Sequence, residues 1–84
     1  MNIKCFYDKT LKMSNGKLAA QVGHVVAELV IMFDIKPNKI VVLEANHSKF
    51  NEYCIASDYT QVDWGLTEVL AGTRTVCGFI KEEK

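Results

Sequence analysis

The chain has 84 residues, 49% of them hydrophobic and 24% charged, with ten basic and ten acidic side chains. That length accommodates one domain burying about 60–65% of its unfolded surface, and the composition is that of a globular protein rather than a disordered one. A formal net charge of zero argues against holding nucleic acid by bulk electrostatics, while leaving room for a local basic patch.

Asn2 to Asp8 alternates apolar and polar residues and is expected to form a first strand. Ser14-Asn15-Gly16 punctuates a loop, and Ser14 or Asn15 is a suitable N-cap for a helix beginning there. From Lys17 to Phe33, the residues Leu18, Val22, Val25, Val26, Leu29, Val30 and Phe33 recur at the spacing of a buried helix face. Pro37 disfavours helical geometry in the residue before it, so the helix is expected to stop around Asp34 to Asn38. Ile40-Val41-Val42-Leu43 is a continuous apolar run, which predicts a central strand over Lys39 to Glu44 covered on both faces. A short helix is expected over His47 to Cys54, a third strand over Ile55 to Val62, a loop over Asp63 to Thr73, and a fourth strand over Arg74 to Ile80. The order predicts an α/β fold: a small four-stranded mixed β-sheet with one long and one short helix packed on it, forming one domain over residues 1–84.

Cys5, Cys54 and Cys77 are odd in number and form no C-x-x-C pair, so they are expected to be free, buried packing residues. His24 and His47 have no compact set of further ligands, and no metal site is expected. The N-terminus lacks the apolar stretch of a signal peptide, and the run Val25 to Phe33 is too short to span a bilayer. A cytoplasmic protein with no membrane partner is the expectation.

Charge is unevenly distributed. Lys4, Lys9, Lys12 and Lys17 face only Asp8 in the leading segment, whereas Glu52, Asp58, Asp63 and Glu68 follow one another without a basic residue. Two such segments can oppose each other in the fold. On the long helix, Lys17, Gln21, His24 and Glu28 are spaced to share one face. A second polar set, Asp63-x-Gly65-x-Thr67 with Gly72-Thr73-x-Thr75, combines a carboxylate, hydroxyls and turn glycines. A carboxylate can deprotonate or orient water, and hydroxyls can donate to a developing oxyanion. The same residues also suit plain turns and strands.

Two motifs carry a resemblance. Leu11-Lys12-Met13, Gly16-Lys17-Leu18-Ala19-Ala20-Gln21 and His24, and much later Asp63-Trp64-Gly65-Leu66-Thr67 and Gly72-Thr73-Arg74-Thr75-Val76-Cys77-Gly78, resemble the type 2 (archaeal and eukaryotic) peptidyl-tRNA hydrolases in order and content. The chain is shorter than that family's norm. Glu68 stands in place of a glutamine, and Gly78-Phe79-Ile80-Lys81 lacks the family's closing proline. The resemblance implies hydrolysis of the ester joining a peptide to tRNA, with peptidyl-tRNA as partner through its acceptor end, a homodimer and no cofactor. It further implies Lys17, His24, Asp63, Thr67 and Thr75 as catalytic positions. Lys12, Gln21, Gly65, Gly72 and Thr73 are implied as neighbouring substrate-binding positions. Within that scheme Asp63 would orient water, and Lys17 would hold a phosphate or the oxyanion. Thr67 and Thr75 would bond the ester or ribose, and His24 would shuttle a proton or stack on the terminal adenine. The leading lysines would form a track for acceptor-stem phosphates. The alternative reading is a module that binds RNA or protein and keeps the fold without turnover.

Overall fold

A computed structural model describes residues 1–63 and 72–82. In chain order it contains β1 (Asn2–Asp8), α1 (Asn15–Phe33), β2 (Lys39–Ala45), α2 (His47–Ala56), β3 (Tyr59–Asp63) and β4 (Thr73–Lys81). The four strands form one mixed sheet in the order β2-β1-β4-β3. β1 and β2 are parallel, and β4 runs antiparallel to both β1 and β3.

α1 and α2 pack on opposite faces of the sheet. Val25 and Leu29 of α1 close over Ile3, Cys5 and Val76. Phe50 and Cys54 of α2 close over Ala45 and Cys77, with Phe6, Tyr53 and Phe79 half-buried around them. Phe6 stacks on Tyr53 with ring centroids 4.1 Å apart, and both rings meet Phe79 edge-on, an arrangement that the charge distribution of aromatic rings favours. All three cysteines are free and buried, and burial pushes the Cys5 thiol up to about 11.

Both helices begin where the chain supplies a side-chain acceptor. Ser14 Oγ accepts from the Lys17 amide at 3.1 Å, and Asn46 Oδ1 accepts from the Lys49 amide at 2.8 Å, each satisfying a donor that helix geometry leaves unpaired. α1 stops at Asp34, which takes a left-handed conformation and returns its amide to the Val30 carbonyl; Pro37 lies beyond that cap.

Several expectations are corrected. β2 is an edge strand, not a central one, and Ile40, Val42 and Leu43 are 47%, 39% and 40% exposed. A continuous apolar run fits burial on both faces or an uncovered edge alike, and only strand order separates the two. Gln21, assigned by spacing to a polar stripe, is buried on the same row as Val25 and Leu29, because i, i+4 and i+8 share a face. Phe33, assigned to the core, is 46% exposed. The third strand also starts later than expected, at Tyr59, because α2 continues to Ala56.

α1 is 19 residues long, and an 18-residue window of it has a mean hydropathy of 1.3, a length and composition compatible with crossing a membrane, with 17% of that window buried. The expectation drawn from Val25 to Phe33 alone therefore did not take in the full helix.

Candidate functional site

Strand direction gathers polar groups at one end of the sheet. β1, β2 and β3 run the same way, so Asp8, Ala45 and Asp63 close their strands at the same end, where β4 begins at Thr73. Both helices start there too, after β1 and after β2. In open α/β sheets, ligands bind beyond the carboxyl ends of the strands.

On the α1 side of this end, side chains from α1, β3 and β4 are bonded together. Lys17 Nζ forms a salt bridge with Asp63 Oδ2, the side chains being 12% and 6% exposed. The Gln21 amide donates to the same carboxylate oxygen at 3.4 Å. Thr75 Oγ1 donates to Gln21 Oε1 at 2.7 Å, which fixes the amide with its NH2 group towards Asp63. The Gly72 amide donates to the Asp63 carbonyl at 2.7 Å, and Gly72 has a φ of +83°, a conformation that glycine adopts without steric cost. Thr73 is the register partner of Asp63.

An irregularity in the sheet makes this possible. Gln61 pairs with Val76 and Val62 with Arg74, so Thr75 is the extra residue of a β-bulge. A bulge breaks the alternation of side chains and re-aims one of them. Thr75 and Val76 consequently both contact α1 residues, Gln21 and Val25 with Leu29 respectively. Arg74 reaches Asn51 of α2 on the other face.

Lys17, Gln21, Asp63 and Thr75 are thus brought together, with Gly72 and Thr73 beside them. The basic and acidic segments do meet, through Lys17 and Asp63. His24 is exposed on α1, the helix that carries Lys17 and Gln21, but outside the bonded group. Lys12 is exposed in the loop before α1. Gly65, Thr67 and Glu68 lie outside the described residues. The leading lysines do not form a single track. Lys4 lies over the Phe6 ring at 5.7 Å on the α2 face, Lys17 is held by Asp63 on the α1 face, and Lys9 and Lys12 are exposed in the loop between.

Sequence reasoning missed one polar group at the same end, Asp8 with Thr10 and His47. No motif marks it, because its members are joined by the parallel pairing of β1 and β2. Among the described residues, no group of three or more metal-ligating side chains occurs.

No protein-family model matches the chain, and no curated protein matches it.

Proposed function

We propose that this chain hydrolyses the ester bond between peptide and tRNA in peptidyl-tRNA. The reading is supported by one observation above the rest: Lys17, Gln21, Asp63 and Thr75, positions that carry the motif resemblance, meet in one bonded group at the carboxyl end of the sheet. Asp63 orients a water and takes its proton as the water oxygen bonds to the ester carbonyl carbon. Lys17 faces the oxyanion that develops on the carbonyl oxygen. Collapse of the tetrahedral intermediate expels the ribose oxygen, which takes up the proton held by Asp63. Gln21 and Thr75 hold the Asp63 carboxylate in position, and Thr67 and Thr73 supply hydroxyls to the ester and ribose. His24, further along α1, stacks on the terminal adenine or relays the proton. No cofactor is needed, because an ester is already activated. The site of action is the cytoplasm.

The experiment is hydrolysis of an N-acetylated aminoacyl-tRNA by the purified chain. Release of free tRNA by the wild type but not by Asp63→Ala supports the reading. A specific observation favours a second reading, a binding module without turnover: the Asp63 carboxylate is 6% exposed and already bonded to Lys17 and Gln21. Retained tRNA binding with no release selects that reading, and absence of binding overturns both.

The homodimer belongs to the same proposal. Among the described residues, the outer edge of β2 has no neighbouring strand, and such edges pair readily with another chain. Ile40 and Val42 line a groove of about 590 Å³ with Leu18, Val22 and Val26 of α1. A second β2 edge supplies partners for both the backbone groups and the apolar side chains of this surface.

A further inference from the structure

On the α2 face of the same sheet end, β1 closes on a carboxylate that is almost wholly out of solvent, Asp8 at 2% exposure. Three donors converge on it. The Thr10 amide and hydroxyl donate to Oδ1 at 2.9 and 2.6 Å, and His47 Nδ1 lies 2.6 Å from Oδ2. Burial by itself raises this carboxyl, but the Thr10 and His47 bonds and the charge of the ring outweigh it and hold it below its ordinary value of 3.8. An ionised carboxylate only accepts hydrogen bonds, so the proton lies on Nδ1 and the ring is fixed in direction. The ring itself is 67% exposed. Anchoring through Nδ1 therefore leaves Nε2, on the opposite side of the ring, to meet a ligand.

A guanidinium is steered to the same place. Arg74 Nη2 donates to Asn51 Oδ1 at 3.2 Å. Asn51 is four residues after His47 in α2, and residues at that spacing share a helix face. His47, Asn51, Thr73 and Arg74 line one cleft of about 270 Å³, with Asp8 and Leu11. The loop after Asp8 carries Lys9 and Lys12, both exposed. Among the described residues lining the cleft, Asp8 is the only acidic one, and it is already bonded to Thr10 and His47. With Nδ1 bonded to Asp8, a ring that also carries a proton on Nε2 donates in a fixed direction, and with the planar guanidinium it forms a donor set that suits a tetrahedral oxyanion.

We propose that His47 and Arg74, with Asp8 as the residue that positions His47, form a phosphate-binding site. The ligand is a phosphate group carried either by an RNA backbone or by a small phosphate ester. This site lies on the opposite face of the sheet from Lys17 and Asp63, and it does not rest on ester hydrolysis. Its location at the same sheet end would let one RNA strand reach both.

The test uses the full chain and the imidazole nitrogen resonances of His47, titrated with sodium phosphate against sodium chloride of equal ionic strength. The expected result is a saturable shift of the Nε2 signal with phosphate and none with chloride. His47→Gln and Arg74→Gln each weaken phosphate binding about tenfold, measured by calorimetry, as expected for loss of one charge-assisted hydrogen bond. Both side chains are exposed, so the two variants retain the wild-type fold, checked by their amide spectra. A short single-stranded RNA that displaces phosphate identifies the backbone as the source. Phosphate binding without displacement identifies a small ester. Equal shifts in phosphate and chloride, or unchanged affinity in both variants, overturn the proposal. A chain that binds phosphate at His47 but releases no tRNA keeps this site and loses the esterase reading.

Discussion

Lys17, in the first turn of α1, and Asp63, the last residue of β3, form a salt bridge in which both side chains are largely withdrawn from solvent. Bringing two charges out of water is costly, and the pair offsets that cost only while both partners are present. Lys17→Met therefore leaves a buried carboxylate without its main counter-charge. The expected outcome is a loss of about 3 kcal/mol of stability, measured by urea unfolding. The double variant Lys17→Met/Asp63→Leu should recover much of it while remaining inactive towards N-acetylated aminoacyl-tRNA. Turnover by the double variant would remove Asp63 from the chemistry.

α1 packs tightly on the sheet at Gly78. A Cβ at this position would lie 2.5 Å from Val25 Cγ1 and 2.9 Å from Leu29 Cδ1. Both neighbours belong to the buried core, so neither can move without displacing α1. Gly78→Ala is expected to cost about 1–3 kcal/mol, as overpacking does, seen as a lower thermal midpoint. Gly23→Ala, where a Cβ meets nothing within 4 Å, is the control and is expected to be neutral or stabilising because the position is helical. Equal midpoints for Gly78→Ala and wild type would contradict the packing of α1 on β4.

Asp8 ties stability to pH. Its carboxyl lies below its ordinary value in the folded chain. The unfolded chain therefore binds the proton more readily, and the stabilisation is fully present above about pH 4 and lost as the pH falls through the folded value. Wild type is expected to exceed Asp8→Asn in urea midpoint at pH 7, with the gap closing below about pH 4. A gap that stays constant down to about pH 2 would show that the Thr10 and His47 bonds do not depend on the charge of Asp8.

The proposed self-pairing rests on the β2 edge. Val42 faces the groove beside α1 and is 39% exposed. Val42→Lys places a charge at the centre of the strand, a device by which natural edge strands avoid pairing. Sedimentation velocity is expected to show a dimer for wild type and a monomer for the variant, with the circular dichroism of the two alike. A wild-type monomer would sink the proposed self-pairing.

The elements themselves were legible in the sequence because they depend on local physics. Alternation marked β1, apolar periodicity marked α1, and the pair Ser14 and Asn15 marked the start of that helix, of which Ser14 is the cap. The fold class and the association of Lys17 with Asp63 followed from pattern and resemblance. Strand order was not legible, since Ile40 to Leu43 reads the same at an edge as in the centre. The polar partner that allows Gln21 to be buried was not legible either, because it is Thr75, 54 residues away. The bulge at Thr75 turns that hydroxyl towards α1 while Arg74 reaches α2, a geometry no local propensity encodes. Asp8 and His47 meet across 39 residues only because β1 and β2 pair in parallel and α2 begins where β2 ends. Local interactions determined which segments become helix and strand, whereas the pairing of distant segments decided which polar groups share a site.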